Sequence, residues 1–417
     1  MDRGQKENVV TSQAPKPPHI DAEYVERALR RAYNSEQLSV ESCQIEGMNQ
    51  RGENFCSDIY RVRVAYRQNE NGPLQEDKLI LKDLLPILAE LGSSELHMNQ
   101  QVLPAMAEIV AKAEPKLQDP KLSAKCIFAE RAFQREIYLF EDLCELGYRT
   151  ADRYNGLSFE EASVCMQKMA QFHAVSMQLI QEQPVIVDQL APSDYLAGLE
   201  NQFGQILVLD GTAHAADVVA NWPGMAHIAA KMRAQCPKVY SKRMSDMVDP
   251  KKAAFTAIVH GDLWVNNTLL TPNAEQVIFV DYQNCFVASP ALDLIYFLYT
   301  SIQLPVLQQK RTALIETYYE SFAQTLRACR YPLTIPAYGD LLGEVERCLF
   351  YGYYGVVVEL PICCASKAAS EDFTLNTISD RDLMRKKRQE LLANERVCDS
   401  LKSALPYFEQ QGILEAL

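Results

Sequence analysis

The sequence predicts an α+β fold in which a smaller part with an antiparallel sheet precedes a larger, mostly helical part. Residues 59–66 alternate apolar and polar side chains, as a half-buried strand does. A polar turn containing Asn71-Gly72-Pro73 separates them from a second strand over 78–84, so the two strands are expected to form a hairpin. Apolar residues over 159–180 recur at helical spacing.

The smaller part is predicted to contain two helices and two more strands besides this hairpin. A helix is expected over residues 21–33, and another over 93–102 that ends near Pro104. Short apolar runs at 126–129 and 137–140 predict the additional strands.

The larger part is predicted to be helical except around one distinctive segment. Helices are expected over 159–180 and 307–326 and from residue 380 onward. Short strands at 258–259 and 277–280 interrupt the helices and bracket the segment that carries the candidate site.

Composition divides the chain into three sections. Residues 1–20 are polar and proline-rich and are expected to form a disordered tail. Residues 21–143 form the smaller part and residues 144–417 the larger part, with the change near Glu141-Asp142-Leu143. A cleft between two such parts is a usual place for a ligand.

Charge and cysteine usage exclude several classes of protein. The net charge of −13 over 417 residues argues against nucleic acid or an anionic membrane surface as the main partner. No membrane-spanning segment and no secretory signal is recognisable. The 12 cysteines show no Cys-x-x-Cys spacing, so we expect neither a zinc site nor a disulfide framework, and a cytoplasmic location.

The most distinctive segment, residues 259–267, reads Val-His-Gly-Asp-Leu-Trp-Val-Asn-Asn. A short turn at 271–273 and an apolar strand ending in Asp281 follow it. The pattern is a strand, a loop holding Asp262 and Asn267, a hairpin and a second carboxylate. Phosphoryl transfer needs such a set, because the protein mainly positions the reactants and neutralises charge.

These residues receive roles in a kinase reaction. Asp262 is the expected catalytic base, which orients the attacking hydroxyl and accepts its proton. Asn267 and Asp281 are the expected ligands of Mg²⁺ bound to ATP, because this ion prefers hard oxygen ligands. His260 lies two residues before Asp262 and Asn267 five after it, as in kinase catalytic loops. The alternative is a surface turn, which explains any one of these residues but not the combination.

The tripeptide that begins at Asp281 differs from that of protein kinases. It reads Asp-Tyr-Gln instead of Asp-Phe-Gly, so the metal-binding carboxylate is kept and the glycine is not. Since that glycine serves the activation segment, its absence argues against a protein kinase.

With these residues, the chain resembles the CHK kinase-like, or ecdysteroid 22-kinase-like, family, which is related to choline kinases and aminoglycoside phosphotransferases. The resemblance covers roughly residues 30–410. The segments that carry it are, in order, 52–57, Lys82, Glu95, 102–104, 140–143, 172–174, 260–267, 281–283, 289–290 and 293–294.

The resemblance implies a bilobal protein-kinase-like fold, with a small N-lobe, a large helical C-lobe and ATP in the cleft. It implies that Lys82 pairs with the α- and β-phosphates and with Glu95 on the N-lobe helix. The alternative is that Lys82 is a solvated strand residue and Glu95 a surface charge. Asn99 departs from the family, which usually has an aromatic residue there, and this weakens the placement of Glu95.

The resemblance also implies two backbone-dominated contacts with the nucleotide. Gly52 and Ser57 would belong to a phosphate-binding loop; an ordinary turn between strands is the alternative. Glu141 and Leu143 would belong to the hinge that binds adenine; the alternative is that Glu141 and its neighbour Asp142 are simply solvated.

Other polar and aromatic residues receive supporting roles. His173 is expected to be a hydrogen-bonded core histidine, and Asp293 to hold the catalytic loop through backbone hydrogen bonds. Several aromatic residues either line a substrate pocket or pack in the core: Trp264, Tyr351, Tyr353 and Tyr354.

Three functions remain open from the sequence. The first is an ATP-dependent phosphotransferase acting on a hydroxyl of a small molecule, and the resemblance alone suggests an ecdysteroid, another steroid or a xenobiotic. The second is a choline or ethanolamine kinase, which would need an aromatic and acidic cage. The third is a catalytically inactive nucleotide-binding scaffold.

Overall fold

The structure, a computed structural model, describes residues 18–48, 57–86, 92–192, 204–235, 237–365 and 380–415. Gly52 and most of the expected tail lie outside the described residues. The end of that tail belongs to the fold, because Ile20 is fully buried and His19 Nε2 lies 3.0 Å from Asp83 Oδ2. The first packed residues therefore lie slightly before the predicted boundary.

Five antiparallel strands form the N-lobe sheet, in the order β1-β2-β3-β5-β4. Their bounds are β1 Ser39–Gly47, β2 Ser57–Arg67, β3 Gln75–Leu84, β4 Cys126–Ala132 and β5 Arg135–Glu141. The predicted alternation in β2 is confirmed, because Tyr60, Val62, Val64 and Tyr66 are all buried. The sheet places Lys82 on the central strand β3, paired with Tyr138 of β5.

Two helices flank this sheet. Helix α1, Ala22–Tyr33, begins where the Asp21 carboxylate accepts a hydrogen bond from the Tyr24 N–H, a normal N-cap. Helix α2 runs through Glu95–His97, a π turn over Met98–Val102, and Leu103–Lys112.

Helix α2 does not end near Pro104, so that prediction was wrong. The π turn widens the helix just before the proline, where the Leu103 N–H donates to Met98 O. Such a turn accommodates the proline ring without ending the helix.

The C-lobe contains short strands beside long helices. The strands are β6 Arg149–Thr150, β7 Ala257–Val259, β8 Thr268–Leu270, β9 Val277–Phe279 and β10 Phe286–Ala288. They form a sheet β6-β8-β9 and a pair β7-β10. Because β7, β8 and β9 flank the segments that carry Asp262 and Asp281, they bring both segments to the cleft.

Among the described residues, the C-lobe helices include α3 Phe159–Glu182, α4 Asp210–Val219, α5 Ala226–Ala234, α6 Pro237–Val248, α7 Ala291–Thr300, α8 Leu304–Ala328, α9 Tyr338–Arg347, α10 Leu349–Tyr354, α11 Arg381–Leu392 and α12 Glu395–Gln410. Helix α3 starts with a capping box formed by Ser158 and Glu161, and α8 packs along it. Helix α7 is buried along its whole length, which makes it the inner wall behind the catalytic loop.

This architecture confirms the predicted α+β fold of protein-kinase type, with an antiparallel sheet in a small N-lobe and a large helical C-lobe. Strand β1 was not predicted, since it is polar, half exposed and interrupted by a register shift between Val40 and Ser42. Within the described ranges, no helix has both the length and the apolar character needed to cross a bilayer.

Candidate active site

A cavity of about 410 Å³ lies between the sheet of the N-lobe and the short strands of the C-lobe. It is lined by each candidate site residue that falls within the described ranges: Ser57, Lys82, Glu95, Glu141, Leu143, Asp262, Asn267 and Asp281. Lys82 and Asp281, which are 199 positions apart in sequence, therefore face one space. Gly52 was also predicted here, but it lies outside the described residues.

Lys82 joins the two lobes at the back of this cavity. Its Nζ donates to Glu95 Oε2 at 2.5 Å and to Asp281 Oδ1 at 2.6 Å. Lys82 is 6 % exposed and Glu95 1 % exposed, so the alternative of two solvated charges was wrong. Burial disfavours the charge of Lys82, but Asp281 and Glu95 outweigh burial and hold its pKa above the ordinary value.

Burial raises the pKa of Glu95, and the attraction of Lys82 offsets only part of this effect. Asn99, the residue that departs from the family pattern, donates its side-chain N–H to Glu95 O at 3.0 Å. The polar residue therefore caps a backbone carbonyl inside the helix, and Glu95 keeps its place beside Lys82.

Ser94 ties the start of helix α2 to the chain that follows Asp281. Its Oγ donates to Tyr282 O at 2.8 Å and accepts from the Cys285 N–H at 2.8 Å. Its N–H donates to Gln283 O at 3.0 Å. These bonds fix the position of Glu95 relative to Asp281, because Ser94 directly precedes Glu95 and Tyr282 directly follows Asp281.

Replacing Ser94 by Ala is expected to raise the KM for ATP about three- to tenfold, since two side-chain hydrogen bonds are lost. Steady-state kinetics at varied ATP concentration measures this change. Ser42→Ala, on the exposed face of β1, is the control and should leave the KM unchanged. Equal KM values in both variants would show that the bonds do not position the Lys82–Glu95 pair.

Asp293 holds the predicted catalytic loop, residues 260–267, through backbone hydrogen bonds, as the sequence predicted. Its carboxylate accepts the His260 N–H at 2.6 Å and the Gly261 N–H at 3.0 Å, and lies 3.0 Å from His173 Nε2. His173 is fully buried and also contacts the Tyr318 hydroxyl at 2.8 Å, which confirms it as a hydrogen-bonded core histidine. Asp293 thus anchors the loop that presents Asp262.

Replacing Asp293 by Asn is expected to lower the free energy of unfolding at pH 7 by about 3 kcal/mol, because the amide cannot accept all three contacts. Burial alone raises the pKa of this carboxyl, but His173 and His260 together hold it below its ordinary value. Because the pKa of Asp293 is lowered in the folded state, the ionised carboxylate stabilises the fold at pH values above its unfolded-state pKa. This stability is lost as the pH falls through its folded-state pKa.

The stability difference between wild type and Asp293→Asn should therefore shrink on acidification. Urea denaturation at pH 7 and in steps below pH 4 measures it. A difference that stays constant over this range would contradict the assigned role of the charge.

Asp262 and Asn267 lie together at the mouth of the loop. The Asn267 amide N–H₂ donates to Asp262 O at 2.8 Å and lies 3.4 Å from Asp262 Oδ2. Its Oδ1 is therefore the atom left for another partner. Burial raises the pKa of Asp262, and the charges of Asp281 and Glu359 raise it further.

The chain turns sharply at Asp281. This residue has φ 70° and ψ 63°, a left-handed conformation that is rare for a residue other than glycine. The preceding residue, Val280, donates its N–H to Asn267 O at 3.1 Å, and its carbonyl lies 3.0 Å from His260 Nε2. Burial lowers the pKa of His260, which favours the neutral ring in this contact. The turn joins the catalytic loop and Asp281 into one unit.

The segment predicted to be the hinge is fixed by hydrogen bonds on both sides of Leu143. The Asp142 N–H donates to Lys78 O at 3.3 Å, and the Asp142 carboxylate accepts from Arg61 Nε at 2.7 Å and from the Cys144 N–H at 2.9 Å. Asp142 is buried, so the alternative of a solvated residue was wrong. The Leu143 N–H donates to no group in the described part of the chain, and the residue lines the cavity.

Sequence reasoning missed two polar residues that influence Asp262, one through a hydrogen bond and one through its charge. The Tyr296 hydroxyl on helix α7 donates to Asp262 Oδ1 at 3.3 Å. Glu359, at the end of a π turn over Gly355–Glu359, adds negative charge near Asp262. Neither residue lies in a local motif. The packing of helices brings both toward Asp262, so the sequence alone does not group them with it.

The fold and the residues of the cleft define the class of protein: an enzyme of kinase-like fold that transfers a phosphoryl group to a hydroxyl of a small molecule. The chain belongs to the ecdysteroid kinase-like family, which matches residues 51–331, more than half of the sequence. No curated protein sequence matches the chain.

Several solved structures are similar to the chain at low sequence identity. The choline kinase of Cryptosporidium parvum is 13 % identical, with a TM-score of 0.46, over 94 % of this chain and 98 % of the other. The Plasmodium vivax ethanolamine kinase is 11 % identical, with a TM-score of 0.44, over 96 % and 93 %. A macrolide 2'-phosphotransferase type I is 14 % identical, with a TM-score of 0.40, over 89 % and 98 %.

Proposed function

We propose that this protein uses ATP and Mg²⁺ to phosphorylate a hydroxyl of an ecdysteroid or of a related polyhydroxylated steroid. The observation that carries the proposal is the convergence of Lys82, Asp281 and Asp262 on one cavity of about 410 Å³. A buried lysine, a carboxylate for a metal and a carboxylate for the acceptor are the set that phosphoryl transfer requires. The steroid acceptor is suggested by the family to which the chain belongs.

The N-lobe provides the nucleotide contacts in this proposal. Lys82 is held by Glu95 and would neutralise charge on the α- and β-phosphates. Ser57, at the start of β2, and Gly52 would belong to the phosphate loop, and Ser57 lines the cavity. The adenine ring would lie against the hinge, with Glu141 and the N–H of Leu143 at its edge.

The donor set of the cleft fits a magnesium ion. Asp281 supplies a carboxylate, and the amide of Asn267 has its Oδ1 left over after donating to Asp262 O. Oxygen ligands of these two types are what Mg²⁺ prefers, and no sulfur or imidazole competes with them in this set. The ion would neutralise the negative charge of the phosphates, while Lys82 keeps its pairing with Asp281 and Glu95.

Asp262 would act on the acceptor. Its carboxylate, oriented by Tyr296 and Asn267, takes the proton when the acceptor O–H bond breaks. The acceptor oxygen then forms a bond to the γ-phosphorus, and the bond between that phosphorus and the bridging oxygen of ADP breaks. Burial raises the pKa of Asp262, which favours this uptake of a proton.

The direct test is a transfer assay with purified protein, ATP and MgCl₂. The acceptors are ecdysone, other steroid alcohols, choline and ethanolamine, with ADP release and the mass of the phosphate ester as readouts. Phosphorylated ecdysteroid, lost on chelation of magnesium, would support the proposal. Phosphorylation of choline and of no other acceptor would instead favour the choline-kinase alternative. Thermal stabilisation by magnesium-ATP with no transfer to any acceptor would favour the inactive scaffold.

The compartment we propose is the cytosol, where ATP is available and the scattered cysteines stay reduced.

A further inference from the structure

A row of three tyrosines extends from Asp262 to a second carboxylate. Tyr296 donates to Asp262 Oδ1 at 3.3 Å, and its ring lies 5.6 Å from that of Tyr351. The ring of Tyr351 is stacked on that of Tyr354 at 5.3 Å, and the Tyr354 hydroxyl donates to Glu359. The row thus has a carboxylate at each end, and each carboxylate is held by a tyrosine hydroxyl.

The geometry of this row depends on close packing between helices α7 and α10. A Cβ at Gly352 would lie 2.7 Å from the ring of Tyr299 and 3.1 Å from Ile295, so only glycine allows this approach. A π turn over Gly355–Glu359 follows α10 and ends in Glu359. Such turns occur frequently at functional sites. The turn therefore places Glu359 beside the hydroxyl of Tyr354, which donates to it.

Glu359 is half buried and has no cationic partner among the residues that the structure describes. No described lysine, arginine or histidine forms an ion pair with it, and its described hydrogen bond comes from Tyr354. Two other carboxylates close to the catalytic loop do have basic partners, since Asp281 is paired with Lys82 and Asp293 with His173. A half-buried carboxylate needs hydrogen-bond donors, and one hydroxyl leaves most of its acceptor capacity unused.

We propose that Glu359 is an acceptor-binding residue, which receives a hydrogen bond from a second donor group of the molecule whose reacting hydroxyl lies at Asp262. This inference rests on the proposed function and deepens it. Acceptors are then neutral or cationic molecules with at least two donor groups. Anionic acceptors are disfavoured, because the two carboxylates would repel a negative charge.

The test compares wild type with Glu359→Gln in equilibrium binding, measured by calorimetry with magnesium and a non-hydrolysable ATP analogue present. The probes are ecdysone, which carries several hydroxyls, a steroid with one hydroxyl, a sulfated steroid with one free hydroxyl, and choline. Glu346→Gln, an exposed carboxylate on helix α9, is the matched control.

We expect Glu359→Gln to weaken ecdysone binding about tenfold, because a hydrogen bond from ecdysone to a charged carboxylate is lost. The affinity for the steroid with one hydroxyl should be unchanged, because that steroid makes no hydrogen bond to Glu359. We also expect sulfated-steroid binding to improve. Tyr354→Phe, which removes only the hydroxyl that orients Glu359, should give a smaller loss for ecdysone. Thermal stabilisation by the nucleotide should be unchanged in all variants.

Equal ecdysone affinity in wild type and Glu359→Gln, or no ecdysone binding at all, would overturn the inference. A selective loss of choline binding, without a loss of ecdysone binding, would also overturn it and would assign Glu359 to a cation cage. Because these measurements need no turnover, they are separate from the transfer assay. Weakened ecdysone binding in a protein that transfers no phosphate would support the role of Glu359 and refute the proposed reaction.

Discussion

Asp262→Asn is expected to lower kcat for phosphoryl transfer by about 10²- to 10⁴-fold, the usual contribution of a general base. The amide has nearly the same shape, so the contacts with Tyr296 and Asn267 can be kept. It cannot accept the acceptor proton at neutral pH, so the loss falls on the chemical step. Single-turnover kinetics with ATP in excess measures this step without interference from product release.

Two controls separate this effect from damage to the fold. Asp399→Asn, an exposed residue of helix α12, should keep full activity. In Asp262→Asn itself, the affinity for magnesium-ATP should change little, because Lys82 and Asp281 are intact. Turnover equal to that of the wild type would remove Asp262 from the role of base.

Gly261→Ala is expected to reduce activity at least about 100-fold, the cost of a displacement of about 1 Å in a catalytic group. Gly261 has φ 78°, and a Cβ there would lie 2.1 Å from the carbonyl oxygen of Asn284. No side chain can rotate to relieve this clash, because the obstacle is backbone. The loop must move, and it carries Asp262 as the next residue.

Gly339→Ala is the matched control, because nothing lies within 4 Å of a Cβ at that position of helix α9. Alanine should stabilise the helix there by about 0.5–1 kcal/mol and leave activity intact. Activity assays and thermal denaturation of both variants, at the same protein concentration, measure the contrast. If Gly261→Ala kept more than half of the activity, the loop would be less constrained than its contacts indicate.

Several parts of the fold followed from local sequence patterns. The alternation in β2 placed its buried face correctly, and the helical period of α3 located the central helix of the C-lobe within two residues at either end. These patterns are readable because one face of each element is buried against a single core. The end predicted at Pro104 failed, since a π turn is a property of the surrounding packing and not of residue type.

The sequence grouped those residues of the candidate site that lie in short motifs. Asp262, Asn267 and Asp281 stand at fixed spacings along one strand–loop–strand unit, so the sequence alone groups them. Lys82 and Glu95 were grouped through resemblance to a family. Their burial and their shared contact with Asp281 could be seen only in the structure.

The sequence by itself determined several elements, among them β2 and α3, and placed Asp262 and Asn267 in one short loop, because these patterns depend on residues close in sequence. Only the tertiary structure decided that Lys82 reaches Asp281 across 199 positions and that Glu359 lies at the far end of a tyrosine row from Asp262. The first contact depends on how the two lobes pack, and the tyrosine row depends on how helices α7 and α10 pack. Packing is governed by the shapes of surfaces distant in sequence.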